Sequence, residues 1–95
     1  LYDRVPYDPM RDFTPVTQIT SGVQLCVVNA ETARRNGWSS LSAMIRWARA
    51  NPGGLRGASS GAGTAGHLLI SALGGMGGAE VTHVPYRGGA PALQD

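Results

Sequence analysis

Apolar positions recur along this chain in more than one rhythm, and each rhythm predicts a different element. Phe13 to Thr20 (FTPVTQIT) is rich in β-branched residues and predicts a strand. Pro15 lacks the N–H a ladder needs, which places that strand at an edge or in a crossover. After the Ser21-Gly22 break, Val23 to Val28 is a near-continuous apolar run, the pattern of a strand covered on both faces. Asn29 to Gly37 has no period and reads as a polar loop. Leu41, Met44, Ile45 and Ala48 then fall at i, i+3, i+4 and i+7, which predicts a helix capped by Ser39 or Ser40. Arg46 and Arg49 lie on its other faces, and Asn51-Pro52-Gly53 ends it.

Leu55 to Ser59 reads as a short strand that runs into the turn GASSGAGTAGHLL, Gly57 to Leu69. A second helix is expected from about Thr64 to Leu73, with Leu69, Leu73 and Met76 on its inner face, stopping in Gly74-Gly75-Met76-Gly77-Gly78. Glu80 to Tyr86 (EVTHVPY) is another strand, with Val81, His83 and Pro85 on one side and Thr82, Val84 and Tyr86 on the other. Arg87 to Pro91 turns into a third helix, Pro91 suiting its first turn. Residues 1–12, with two prolines and no periodicity, read as an irregular connector. The alternation of strands and helices predicts an α/β fold: a parallel sheet with helices on its faces.

In such sheets ligands gather at the carboxyl ends of the strands, where loops feed helix N-termini. Two glycine-rich loops qualify, Ser59 to Thr64 and Tyr86 to Ala90. A helix leaves its first N–H groups without internal partners, and its dipole is positive there, so an anion docked at that point receives several hydrogen bonds. The absence of Cβ atoms at Gly61 and Gly63 lets the backbone come close, and Ser59, Ser60 and Thr64 add hydroxyls. The same turns would equally serve only to pack helices on the sheet. His67, in the first turn of its helix, either faces the ligand or plays a structural part. Arg87 either pairs with a carboxylate in bidentate fashion or is solvated. His83 reads as a strand residue with a hydrogen-bonded ring. Trp38 and Trp47 read as cover for the core.

Composition narrows the chemistry. The 95 residues are 42% hydrophobic and 15% charged, with fourteen glycines concentrated between Gly53 and Gly78. The net charge of +2 comes from eight dispersed arginines and no lysine, so a nucleic-acid surface is not expected and a Walker-type loop is excluded. The single Cys26 excludes an internal disulfide and is expected as a buried small hydrophobe. Two histidines are too few for a metal site, and no cofactor is expected. No apolar run is long enough to span a bilayer, and no signal-peptide pattern opens the chain. The chain opens on Leu1 and stops at Asp95 where a helix should begin, and so reads as an excised piece of a longer protein.

Two familiar patterns overlap in the turn. Gly57-x-Ser59-x-Gly61 fits a nucleophile elbow, which would make Ser59 the nucleophile of a serine hydrolase. His67 is too close in sequence to serve as its base, His83 lies within a strand, and no acid obviously orients either one. Gly61-x-Gly63-x-x-Gly66 fits a dinucleotide fingerprint, but Glu80 opens the next strand where a ribose-binding acid should close it. Nucleotide binding remains the alternative to a binding module for a small anion, and hydrolysis the weaker one.

Four segments in register, PYDPMRDFTPVT (Pro6 to Thr17), ARANPGGL (Ala48 to Leu55), SSGAGTAGHL (Ser59 to Leu68) and HVPYRGGAPAL (His83 to Leu93), resemble the extracytoplasmic solute-binding receptors of tripartite tricarboxylate transporters, the TctC-like or Bug-type family. The resemblance extends over nearly the whole chain. It implies one parallel-sheet α/β/α lobe of a two-lobed, periplasmic-binding-protein-like fold, with residues 1–12 the interlobe connector and 13–95 most of the second lobe. It implies a periplasmic binding protein, not an enzyme, that passes a small di- or tricarboxylate to membrane permease subunits without itself entering the membrane. The ligand loops then map onto Ser59, Ser60, Gly61, Gly63 and Thr64, and onto Tyr86, Arg87, Gly88 and Ala90. The family holds its carboxylate with main-chain N–H groups, small hydroxyls and bridging waters, without needing salt bridges. Relatives commonly carry Asn for Gln24, Tyr-Gly for Gly57-Ala58, a polar residue for Ala62 and Lys for Arg87, changes that bear on which acid fits.

Overall fold

A computed structural model describes residues 2–95. Its packed part begins with two capped helices. In α1 (Ala30–Asn36) the Asn29 side chain accepts the N–H groups of Glu31 and Thr32, Glu31 sits in the first turn, and Arg34 and Arg35 face the C-terminal dipole. Gly37, in the left-handed region at φ 69°, closes it. A polar loop was expected here. The helix is made by its caps rather than by an apolar stripe, and it buries no residue completely.

Ser40 is the cap of α2 (Leu41–Ala50), its Oγ accepting the Ala43 N–H at 3.1 Å. The expected stripe turns Met44, Ile45 and Ala48 inward, and all three are buried, whereas Leu41 at its start stays exposed. Met44 and Ala48 pack with Leu55, and Trp38, Trp47, Ala79 and Val81 close around them. The two indoles meet edge to face at 5.1 Å, the geometry favoured by the aromatic quadrupole.

Leu55 opens β1 (Leu55–Ser59), which pairs in parallel with β2 (Val81–Pro85), Leu55 opposite Val81 and Ser59 opposite Pro85. The crossover between them is α3 (Ala65–Gly77), followed after β2 by α4 (Gly89–Gln94). Leu55 and Ser59 point to the side of the sheet that α3 covers, while Arg56, Ala58 and Thr82 on the other side are exposed.

The underside of α3 differs from expectation. Met76 is 88% exposed and Leu69 is also exposed; the residues meeting the sheet and α2 are Gly66, Ile70, Gly74 and Gly77. A Cβ on Gly77 would stand 2.6 Å from Ile45 Cγ2, and one on Gly57 of β1 would stand 3.0 Å from Ile70. This approach also explains why the helix runs past Leu73 through Gly74, Gly75 and Gly77. Each costs about 1 kcal/mol of helix propensity, offset here by contact of Gly74 and Gly77 with Val81 and Ile45. The Gly77 carbonyl further accepts the Arg49 Nε–H of α2.

The N-terminal third departs most from expectation. Residues 13–20 and 23–28 form no strand, and β1 and β2 make up a two-stranded sheet. Val23, Leu25 and Val27 are exposed, as is Cys26, which was expected to be buried. A strand apolar on both sides needs a neighbour for its ladder and cover above and below. This sheet has one face open, so it supplies no enclosed slot. The radius of gyration, 16.1 Å, against about 12 Å for a compact chain of this length, reflects this extended segment. The observed fold is a small α/β unit in which helices flank a two-stranded parallel sheet.

Denaturant unfolding tests these assignments. Ser40→Ala should lower stability by about 1 kcal/mol through loss of the cap. Gly57→Val should cost about 1–3 kcal/mol by overpacking against Ile70. Met76→Gln should change it by less than about 0.5 kcal/mol.

Candidate functional site

Both strands end at the same edge, Ser59 opposite Pro85, and the pairing continues past them. The Tyr86 N–H donates to the Ser59 carbonyl at 2.9 Å, and the Gly88 N–H to the Ser60 carbonyl at 3.2 Å. The two glycine-rich loops, one entering α3 and the other α4, are thereby held side by side at the carboxyl ends of the strands. Gly61 and Gly63 adopt φ 154° and 79°, so the first loop requires glycine at both positions.

Ser59 is 5% exposed, and its hydroxyl is the hub of the first loop. Its Oγ lies 2.9 Å from the Gly61 carbonyl, 3.2 Å from the Gly61 N–H and 2.6 Å from His83 Nε2. A hydroxyl has one proton to give and two lone pairs to accept with. All three contacts are met together when His83 Nε2–H and Gly61 N–H donate to Oγ and Oγ–H donates to the Gly61 carbonyl. Thr64 Oγ1 donates to the same carbonyl at 2.7 Å. Thr64 is the N-cap residue of α3, but its side chain makes no capping bond, so the first turn of α3 begins without a side-chain partner for its N–H groups.

His67, in that first turn, turns its ring back so that Nδ1 accepts the Gly63 N–H at 3.0 Å. Its ring lies flat on that of His83, with centroids 3.8 Å apart and planes 7° from parallel. Desolvation of His83, and secondarily the neighbouring His67 ring, hold the His83 pKa below the ordinary histidine value. The hydrogen-bonded ring expected for His83 is present; its stack on His67 was not foreseen. The strand pattern put His83 with Val81 on one side of β2, and only the helix register brings His67 above it.

In the second loop the Tyr86 hydroxyl donates to Asp95 at 2.8 Å. That bond first, then desolvation and the Asp95 charge, raise the tyrosine pKa against a smaller lowering by Arg56. Arg87 is exposed, Gly88 is half-buried, and Ala90 is exposed in the first turn of α4. Ser60 is exposed beside the first loop. The residues expected at the site thus converge on one edge, although the Gly61, Gly63 and Gly88 amides already have partners within the protein.

Among the described residues neither histidine pairs with a carboxylate, and no three metal-ligating side chains cluster. The Ser59–His83 contact therefore lacks the acid that orients a catalytic base. Nor is any described helix long and apolar enough to cross a membrane.

A family model described as the tripartite tricarboxylate transporter family receptor matches residues 1–95. A UPF0065 protein from the tcbD-tcbE intergenic region of Pseudomonas sp. is 40% identical over 94 residues, covering 99% of this chain and 27% of that protein. Protein BugT of Bordetella pertussis is 30% identical over 95 residues, covering all of this chain and 28% of BugT. A UPF0065 protein from the gbd 5′ region of Cupriavidus necator is 28% identical over 91 residues, 96% of this chain and 27% of that protein. The chain thus spans about a quarter of the length of these relatives. No solved structure matches it.

A double-mutant cycle tests the Ser59 hub. Ser59→Ala and His83→Phe should each destabilise the protein, and the pair should show a coupling of about 1 kcal/mol in chemical unfolding.

Proposed function

The chain belongs to the tripartite tricarboxylate transporter receptor family, whose members are extracytoplasmic solute-binding proteins rather than enzymes, and from that premise we propose that it forms half of a carboxylate-binding cleft. The cleft edge is the pair of loops at the strand ends. The observation that carries this reading is the start of α3: its cap residue makes no side-chain bond to the first turn, and the exposed Ser60 and the second loop lie beside it. A carboxylate placed there meets neutral donors aligned with the positive end of a helix dipole. Hydrogen bonds to a charged acceptor contribute about 1.5–3 kcal/mol each, and none of them requires a lysine.

In this reading Ser60 and the uncapped first turn of α3 face the ligand above the loop that Gly61, Gly63 and Thr64 shape, and Tyr86, Arg87, Gly88 and Ala90 line the cleft from the second loop. Ser59 and His67 act largely by holding the first loop in shape. Residues 1–12 are the connector to an opposing lobe, and 13–95 belong to the second lobe of a two-lobed periplasmic receptor. Closure of the lobes on a di- or tricarboxylate presents the loaded receptor to membrane permease subunits. The ligand drives closure only by as much as it prefers the closed form.

Calorimetry of the full-length receptor against acetate, succinate and citrate tests the assignment. A multivalent carboxylate should bind with clear saturation. Arg87→Ala should weaken binding by less than tenfold and Ser60→Ala by a similar factor. Gly63→Val should weaken it by more than tenfold, with circular dichroism confirming that the variant is folded. Unchanged affinity in folded Gly63→Val, or a response to NAD or ATP in place of carboxylates, would overturn the site.

A further inference from the structure

Both histidines of the chain reach the Gly61–Thr64 loop from beneath, by different routes. His67 holds the Gly63 N–H directly, and His83 holds Gly61 through the Ser59 hydroxyl. The two holding rings are stacked face to face at 3.8 Å. We propose that His67 and His83 are positioning residues that act as a proton-operated latch on this loop: the neutral His67 ring, stacked on His83, holds the Gly63 N–H, and a proton on His67 Nδ1 releases it.

The argument is one of donors and acceptors. An Nδ1 that accepts the Gly63 N–H carries no proton, so this bond requires neutral His67. Protonation sets two N–H groups against each other and breaks it. His83 differs: as a donor to Ser59 through Nε2 it keeps that bond when its Nδ1 is protonated, but its ring then presents a positive face to His67. The stack therefore admits one added proton and resists a second. His67 lies in the first turn of α3, at the positive end of the helix dipole. From β1 the polar neighbour is the Ser59 hydroxyl; Arg56 belongs to the opposite side of that strand, and Asp95 beyond α4 is engaged with Tyr86. Among the described residues no carboxylate pairs with either ring to fix a charge on it.

The pH dependence of stability follows from His83, whose folded-state pKa lies below the ordinary value because of its burial and the adjacent ring. Stability drawn from the neutral ring is complete above about pH 6.5 and is lost as pH falls towards the lower folded value. Resting on the carboxylate reading above, the latch has a second consequence. The released Gly63 N–H and the added positive charge both favour a bound anion, so capture takes up a proton, and affinity rises as pH falls from 8 to 6. One proton sets a ceiling of about tenfold per pH unit.

The test separates the latch from the ligand. In the ligand-free receptor, NMR should show the Gly63 amide shifting along the same titration curve as the His67 ring, with its hydrogen-exchange protection lost on the acid side. His67→Phe, which preserves a flat ring over His83 but has no acceptor, should abolish that titration. A Gly63 amide that ignores the His67 titration would sink the latch. Succinate calorimetry at pH 6, 7 and 8 in two buffers of different ionisation enthalpy should then show proton uptake in the wild type and none in His67→Phe. Equal uptake in both would overturn the coupling. A titrating amide with no carboxylate binding at any pH would instead remove the binding reading and leave the latch standing.

Discussion

Everything at the candidate site depends on how closely α3 lies against the sheet. Gly66 meets Ser59, Gly57 receives Ile70, Gly74 meets Val81 and Gly77 meets Ile45. Side chains at the glycine positions would lift the helix away. The His67 ring could then no longer lie on His83, and the Gly61–Thr64 loop would lose its support from beneath. The glycines cost helix propensity and configurational entropy. In exchange, backbone and ring geometry at the end of β1 are set by hard contacts rather than by long flexible side chains. Precision of that kind is what a site built from main-chain donors requires, since an amide cannot reach for its ligand as a lysine can.

The parts of the fold legible in the sequence are those whose signals are local. The Ser40 cap, the Leu41–Ala48 stripe, the Asn51-Pro52-Gly53 stop and the bounds of β1 each follow from a few neighbouring residues, and β2 follows to within a residue at each end. Both loops of the candidate site were readable for the same reason. Illegible features depended on what stands opposite. Residues 23–28 have the composition of an enclosed strand, but composition states a preference for burial and does not provide the neighbour. Exposed Cys26 follows from the same cause. The inner face of α3 was misread because apolar periodicity points to Leu69 and Met76, while the tighter contact is made where side chains are missing. In α1 the signals were present in Asn29 and Gly37 but no apolar period accompanied them.

The hydrogen-bond accounts of the first loop sort its residues into frame and free donors. Ser59 is saturated by Gly61 and His83, and the Thr64 hydroxyl is spent on the Gly61 carbonyl. These groups shape the loop. What they shape it around is the opening of α3, where no side chain caps the first turn, together with the exposed Ser60. Saturation of the inner groups is what makes the outer ones useful: a loop whose own carbonyls and hydroxyls were unsatisfied would fold back on its free amides.

On the proposed reading, the same accounts explain why one lobe alone would hold an anion weakly. If two or three neutral donors each contribute about 1.5–3 kcal/mol to a carboxylate, the sum is comparable to the association cost of about 4 kcal/mol or more. Little net affinity is left on one lobe. On the proposed reading the remaining donors must come from an opposing lobe. Each surface alone then holds the anion weakly, and tight binding exists only in the closed form. On that reading, opening the cleft halves the donor set and so loosens the ligand.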